Sequence, residues 1–238
     1  MKFLPKFIII LTLNLSASST YAQTNEETRN VSNFKGIRIS SGIDLYIRQG
    51  NVESVRIVGD KDKLEKVKTE KEGDILKIYT ESSKGWFNLD FDWRNKKPIK
   101  AYVIVKNLIS IAATGGSDVF SEGKLDLIKL DIKATGGSDV KLDLDTDELT
   151  CETTGGSDVT LSGTATVFKA LATGGSDLKA KNLRTNFCNV SSTGGSDVHV
   201  WAEKEISISA TGGSDVYHQG NARVVQSSSS GGSDVHKQ

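Results

Sequence analysis

Between residues 107 and 238 apolar and polar residues alternate in long runs, the period-two pattern of strands that bury one face. The runs are punctuated by Thr-Gly-Gly-Ser-Asp-Val, which begins at Thr114, Thr135, Thr154, Thr193 and Thr211, and at Thr173 with Leu178 in place of Val. A seventh copy starts at Ser230. The first glycines, at 115, 136, 155, 174, 194, 212 and 231, lie 21, 19, 19, 20, 18 and 19 residues apart. A period near 19 is too short for two helices with their loops, so the predicted unit is one β-coil.

Positions counted from the first glycine sort by side. Six before it stand Ile109, Leu130, Leu149, Phe168, Cys188, Ile206 and Val225, and four before it Ile111, Ile132, Cys151, Ala170, Val190, Ile208 and Ser227. Four after it stand Val119, Val140, Val159, Leu178, Val198, Val216 and Val235. These positions share one parity and are expected to form one stacked core. The opposite parity is polar: Ser110, Asp131, Thr150, Lys169, Asn189, Ser207 and Gln226 precede the glycines by five. Each coil buries its apolar face only against its neighbours, so the prediction is a solenoid with equivalent residues in ladders about 4.8 Å apart. Ser227 to Ser230 replace core residues in the last coil, which blunts an edge that would otherwise recruit another sheet.

From 23 to 106 the repeat is eroded, and this stretch is expected to be a β-rich cap on the solenoid of 107–238. Ile37–Ile39, Ile43–Ile47, Val55–Ile57, Asp74–Thr80 and Tyr102–Val105 read as strands, and Lys61–Lys68 as a short helix. Ser41-Gly42-Ile43-Asp44-Leu45 has the form of a worn motif copy. Residues 1–22 have the layout of a secretory leader: Lys2 and Lys6, an apolar run from Phe7 to Leu15, then small residues ending at Ala22. The run is too short to span a bilayer.

Several features of the N-terminal half resemble a known family, the bacterial adhesin-type "head GIN" domain. They are Phe34-Lys35-Gly36-Ile37, Ser41 to Leu45, Leu64 to Thr69 ahead of Gly73-Asp74-Ile75-Leu76, and Val103 to Leu108. The glycine-rich turns extend the likeness over nearly the whole chain. The resemblance implies an exported, all-β, right-handed parallel β-helix (β-solenoid), here of about 19-residue coils with an N-terminal β-rich cap. It implies adhesion, glycan or protein being the ligand, and brings no catalytic residues. The chain departs from the pattern in the regularity of its TGGSD copies.

Composition narrows the function. Thirty basic and thirty acidic residues give a formal net charge of 0, and loss of the leader moves it to −2. There is no basic cluster to bind nucleic acid or anionic lipid. The two cysteines, Cys151 and Cys188, fall two coils apart, about 9.6 Å by ladder spacing and too far for a disulfide. His199, His218 and His236 occupy unlike repeat positions and form no metal-ligand spacing or triad, so neither catalysis nor a cofactor is expected.

Candidate binding chemistry lies on the repeats. Asp118, Asp139, Asp158, Asp177, Asp197, Asp215 and Asp234 are expected to stack in one row. Neighbouring carboxylates at that spacing repel by roughly 1 kcal/mol in water and about 3–4 kcal/mol at an effective dielectric near 20. Backbone amides, the adjacent serine hydroxyls or cations such as calcium could offset this, and the motif is equally readable as a plain corner in which glycine supplies positive φ. The Thr114 to Thr211 row reads as ordinary polar stacking or a flat hydroxyl array. At the next outward position after each Asp come Phe120, Lys141, Thr160, Lys179, His199, Tyr217 and His236, with Trp201 also outward; Tyr217 and Trp201 are candidate contacts for sugar or protein. Trp86, Phe87, Phe91 and Trp93 suggest a loop over the core end or a binding loop. Parallel β-helices include polysaccharide lyases, which makes a lyase-like enzyme the alternative; a calcium-stabilised structural repeat is another.

Overall fold

The computed structural model describes residues 25–81 and 98–238. The leader and the Trp86 to Trp93 stretch lie outside them. The first half contains β1 (Asn25–Arg29), β2 (Gly36–Ile39), β3 (Ile43–Gln49), β4 (Ser54–Gly59), α1 (Lys61–Leu64), β5 (Val67–Glu72), β6 (Ile75–Thr80), β7 (Ile99–Val105) and β8 (Ser110–Thr114). Five long strands follow, β9 (Val119–Thr135), β10 (Asp139–Thr154), β11 (Asp158–Gly174), β12 (Asp177–Gly194) and β13 (Asp197–Gly212). The chain ends with β14 (Asp215–Gln219), β15 (Arg223–Gly231) and β16 (Asp234–Lys237).

Each long strand runs from one TGGSD corner to the next and pairs in parallel with the coils before and after it. Asp139 lies opposite Asp158, Asp158 opposite Asp177, Asp177 opposite Asp197, and so on to Asp234. The result is a β-solenoid of about 7 turns. The unequal motif spacings are absorbed away from the corner: the ladder slips between Lys141 and Asp143, between Thr160 and Ser162, and between Ala180 and Arg184. These three slips fall in one sector of the coil, so the motif stays in register while that bend varies; two further slips, between Thr185 and Phe187 and between Ile206 and Ser207, lie on the run into the next corner.

The worn motif at Ser41 is a true rung. Leu45 pairs with Val119, Gly42 donates its N–H to the Gly115 carbonyl at 3.2 Å, and Ser41 adopts φ +69°, the left-handed conformation that glycine holds in the other copies. Above this rung β7 still pairs in parallel with β3, and the ladder then turns antiparallel, with β4 on β7 and β1 on β4. The helix expected over Lys61–Lys68 is a single turn, Lys61–Leu64, and Val67 already opens β5 against β6. Leu64 and Val67 are both buried, a spacing that a turn entering a strand satisfies as well as a helix does.

The inward parity of the repeat forms one core cluster running from Phe34 to Ala222. Three inward expectations fail, at the first and last coils: Ile109, Val225 and Ser227 are exposed. Ile109 is 46% exposed because Leu108 takes the inward place just before β8 begins. Val225 is 44% exposed because a bulge sets Val224 opposite Ile206 and Gln226 opposite Ser207, and among the described residues β15 pairs only with β13. Cys151 and Cys188 are free, buried thiols. Burial raises both pKa values, that of Cys188 to about 12.

Candidate functional site

The TGGSD corner separates its side chains by direction. The threonines face outward in a row, with Thr135 between Thr114 and Thr154. The serines face inward: Ser117, Ser138, Ser157, Ser176, Ser196 and Ser214 are 0% exposed. Ser176 Oγ donates to the Thr153 and Thr173 carbonyls, Ser196 Oγ to those of Ala172 and Thr193, and Ser214 Oγ to those of Ser192 and Thr211. Ser138 and Ser157 also accept the backbone N–H of Ser117 and Ser138. The serine hydroxyls therefore satisfy buried backbone within and between coils. They are spent there, which corrects the expectation that they could offset the carboxylates outside.

The seven motif aspartates stand in one outward column, with Asp44 as an eighth member beyond Asp118. Lys179 spans Asp158 and Asp177 at 3.5 and 3.1 Å. Asp118 Oδ1 accepts the Asp139 N–H at 3.3 Å, and Asp215 Oδ1 that of Asp234 at 3.2 Å. Burial, and then the charge of Asp118, holds the Asp44 carboxyl above the usual carboxylate range; burial does the same for Asp118, opposed by the hydrogen bond from the Asp139 N–H, with the Asp139 charge a smaller upward push. Asp215, Asp234 and His236 have ligand atoms within 4.8 Å of one another at the open end of the column.

The next outward column is aromatic at both ends. Tyr102, Tyr46 and Phe120 stack with centroids 5.0 and 5.3 Å apart, while His199, Tyr217 and His236 stack at 4.5 and 4.9 Å. In such a ladder the rings cover one another's faces and turn edges to solvent. Tyr217 is thus placed as a member of a closed stack.

Beyond that column, at the bend where the ladder slips, lies an open groove of about 690 Å³ that runs across the coils. Three rows build it. The near wall is Asp126, Asp145, Thr164 and Arg184, in register on β9 to β12. The floor is Leu127, Thr146, Ala165 and Thr185, all buried; the three small residues among them make the bend concave. Ile128, Asp147, Thr166 and Asn186 form the far side, and Glu203 closes one end. The near wall is held by its own contacts: Thr164 Oγ1 donates to Asp145 at 2.8 Å, Lys124 lies 3.2 Å from the same carboxylate, and the Gln49 amide bonds both backbone groups of Asp126. The Thr164 hydroxyl and Lys124 keep the Asp145 carboxyl below the usual range.

Trp201 stands at the closed end. Its indole N–H donates to Glu203 at 2.6 Å, the Arg184 guanidinium lies over its ring at 3.5 Å, and Arg184 is 3.7 Å from Glu203. Of the candidates named from sequence, Trp201 alone contacts lining residues, Arg184 and Glu203, without lining the groove itself. The Asp column and Tyr217 lie outside the lining, and no histidine lines it. The groove itself was missed by sequence reasoning. Its only sequence signal is that coil length varies in one sector.

The model of the family described as "Putative auto-transporter adhesin, head GIN domain" matches residues 33–222. The chain belongs to this family. Among solved structures, this head GIN chain is similar to a "putative adhesin" from Bacteroides fragilis NCTC 9343, at 23% identity and TM-score 0.81, covering 92% of this chain and 98% of that one. It is also similar to a "putative lipid binding protein" from Parabacteroides distasonis ATCC 8503, at 18% identity and TM-score 0.70, covering 90% and 96%. A "putative adhesin" from Parabacteroides merdae ATCC 43184 matches at 16% identity and TM-score 0.70, covering 91% and 96%. At these identities the likeness shows the shared fold. No curated protein matches the sequence. No helix among the described residues is long and apolar enough to cross a membrane.

The contacts of the Asp column in this head GIN domain lead to an expectation. A carboxyl whose folded pKa is raised destabilises the fold when ionised, and stability is regained as pH falls through that pKa. Asp118→Asn should therefore raise Tm slightly at pH 7, by about 1–2 °C for a partly exposed group, and the gain should vanish in acid. Millimolar calcium should add no more than ionic-strength-matched sodium, because amides and Lys179 already meet the carboxylates. Thermal melts of both proteins in the two salts test this, and a calcium-specific rise lost in Asp158→Asn would refute it.

Proposed function

We propose that this chain is an exported adhesin-type module that binds a glycan in the groove across its coils and does no chemistry on it. One observation carries the reading: the repeated bend offers a long, open, polar-walled trough in which the same three positions recur coil after coil. Shallow grooves lined by carboxylates, hydroxyls and amides suit hydroxyl-rich chains, since each wall residue can accept or donate a hydrogen bond without deep desolvation. Non-catalytic binding fits the placement of the histidines, which are stacked or buried away from the trough. Family membership supports the adhesive role. Export is supported by the leader-like composition of residues 1–22.

The test combines cell fractionation with a glycan array probed by the mature protein, followed by product analysis of any sugar that binds. Export, binding and intact sugar are expected. Release of shortened, unsaturated products would replace this reading with the lyase-like one. Retention in the cytoplasm, or silence across the array, would sink it.

A further inference from the structure

The groove has a direction and a charge, and together they narrow the ligand. Its walls run along the solenoid axis, so successive wall residues repeat at the interstrand spacing of roughly 4.8 Å. That is close to the length of one pyranose unit in an extended chain. From Asp126 on β9 to Glu203 on β13 the groove crosses five coils, about 19 Å between the outer two at that spacing. Four carboxylates line it, Asp126, Asp145, Asp147 and Glu203, against one cation, Arg184. That cation is already engaged by Glu203 and by the Trp201 ring, and Lys124, behind the wall, offsets Asp145 alone, which leaves Asp126 and Asp147 without a matching cation in the lining. An anionic sugar would meet net repulsion there, whereas neutral hydroxyls meet acceptors already fixed in position.

Resting on the glycan-binding reading above, we infer that the ligand is a neutral, linear, extended oligosaccharide that lies along the solenoid axis with one sugar per coil. Asp145 and Thr164, paired at 2.8 Å in mid-groove, form the central contact, carboxylate and hydroxyl presented side by side to one sugar. Trp201 is a positioning residue: it holds Arg184 and Glu203 as the wall at the end of the run.

The measurement is calorimetric titration of the mature protein with β-1,4-linked glucose, mannose and N-acetylglucosamine oligomers, from the disaccharide to the hexasaccharide, with oligogalacturonides as anionic counterparts. Affinity for at least one neutral series should climb with each added sugar and level off at four or five, and the oligogalacturonides should not bind. Asp145→Ala should weaken binding by about tenfold or more, the loss of one good charged hydrogen bond. Thr164→Lys, which fills the trough without touching the core, should abolish binding. Asp158→Asn, outside the groove, should leave it unchanged. Circular dichroism melts confirm that each variant is folded. Preference for the uronates, affinity independent of chain length, or full binding by Thr164→Lys would overturn the inference while leaving a glycan-binding adhesin intact. If none of these oligomers binds, this inference fails, and the array decides whether the broader reading fails with it. Capture of a protein in the groove in place of any sugar would overturn both.

Discussion

Gly163→Ala should unfold this protein at a temperature about 10 °C below the parent, whereas Gly116→Ala should cost only a few degrees. Both glycines have positive φ, +108° and +71°, so an L side chain is strained at either site. They differ in what the new methyl would meet. At Gly163 it would come within 2.0 Å of the Leu144 carbonyl oxygen on the coil before, and within 2.9 Å of its carbon. At Gly116 it would meet nothing within 4 Å. Backbone in the middle of a parallel ladder cannot yield without breaking pairing on both sides, so a packing term adds to the strain. Together these amount to roughly 3–5 kcal/mol for Gly163, against about 1–2 kcal/mol for the conformational strain alone at Gly116. Calorimetric melts of the two variants distinguish the outcomes. Equal losses would mean that the coils separate more easily at that bend than the close approach implies.

Phe168→Ala should be of similar size. Phe168 is fully buried in the inward row, between Leu149 on β10 and Cys188 on β12. Removing a ring from the middle of a stack leaves a cavity that neighbours fixed by their own ladders cannot close, a loss of about 3–5 kcal/mol. Phe187, one residue before Cys188 but 38% exposed on the opposite parity, provides the control, and alanine there should cost well under half as much. Urea titrations of both variants measure the difference. Near-equal midpoints would show that the solenoid repacks around position 168.

The regular features were legible because they are properties of a repeat. A motif that recurs at a near-constant interval makes every coil a copy of its neighbour, and period-two alternation then assigns inside and outside without knowledge of the rest of the chain. That reasoning placed the Asp column, the free cysteines and even the worn rung at Ser41, whose Asp44 extends the column. It failed where the first and last coils depart from the repeat. Ile109 and Val225 are apolar by pattern and exposed in the structure, Ile109 because Leu108 takes the inward place and Val225 because a bulge shifts the strand at the edge of the sheet. Strands β1 and β5 gave no alternation to read: Asn25–Arg29 and Val67–Glu72 are rich in charge and are held by antiparallel backbone pairing at the sheet edges.

The serines show a subtler limit. Parity, applied strictly, places Ser117 and its equivalents on the inward side, two residues before the inward Val, yet chemistry suggested an outward role beside Asp. The structure settles the conflict through the backbone: the corner leaves carbonyls facing the core, and a small hydroxyl reaching them costs less than leaving them unpaired.

By itself, then, the sequence determined the coil, its period and the face each repeated side chain takes, since identical neighbours impose identical environments. Only the tertiary structure decided where the chain is concave. The groove arises where the coils differ in length and where Thr146, Ala165 and Thr185 happen to align as a small-residue floor. Those residues are separated by unequal intervals in the sequence. Ladder slips bring them into one row, and where in the coil a slip falls is decided by pairing with the neighbouring coils, which the motif period alone does not give.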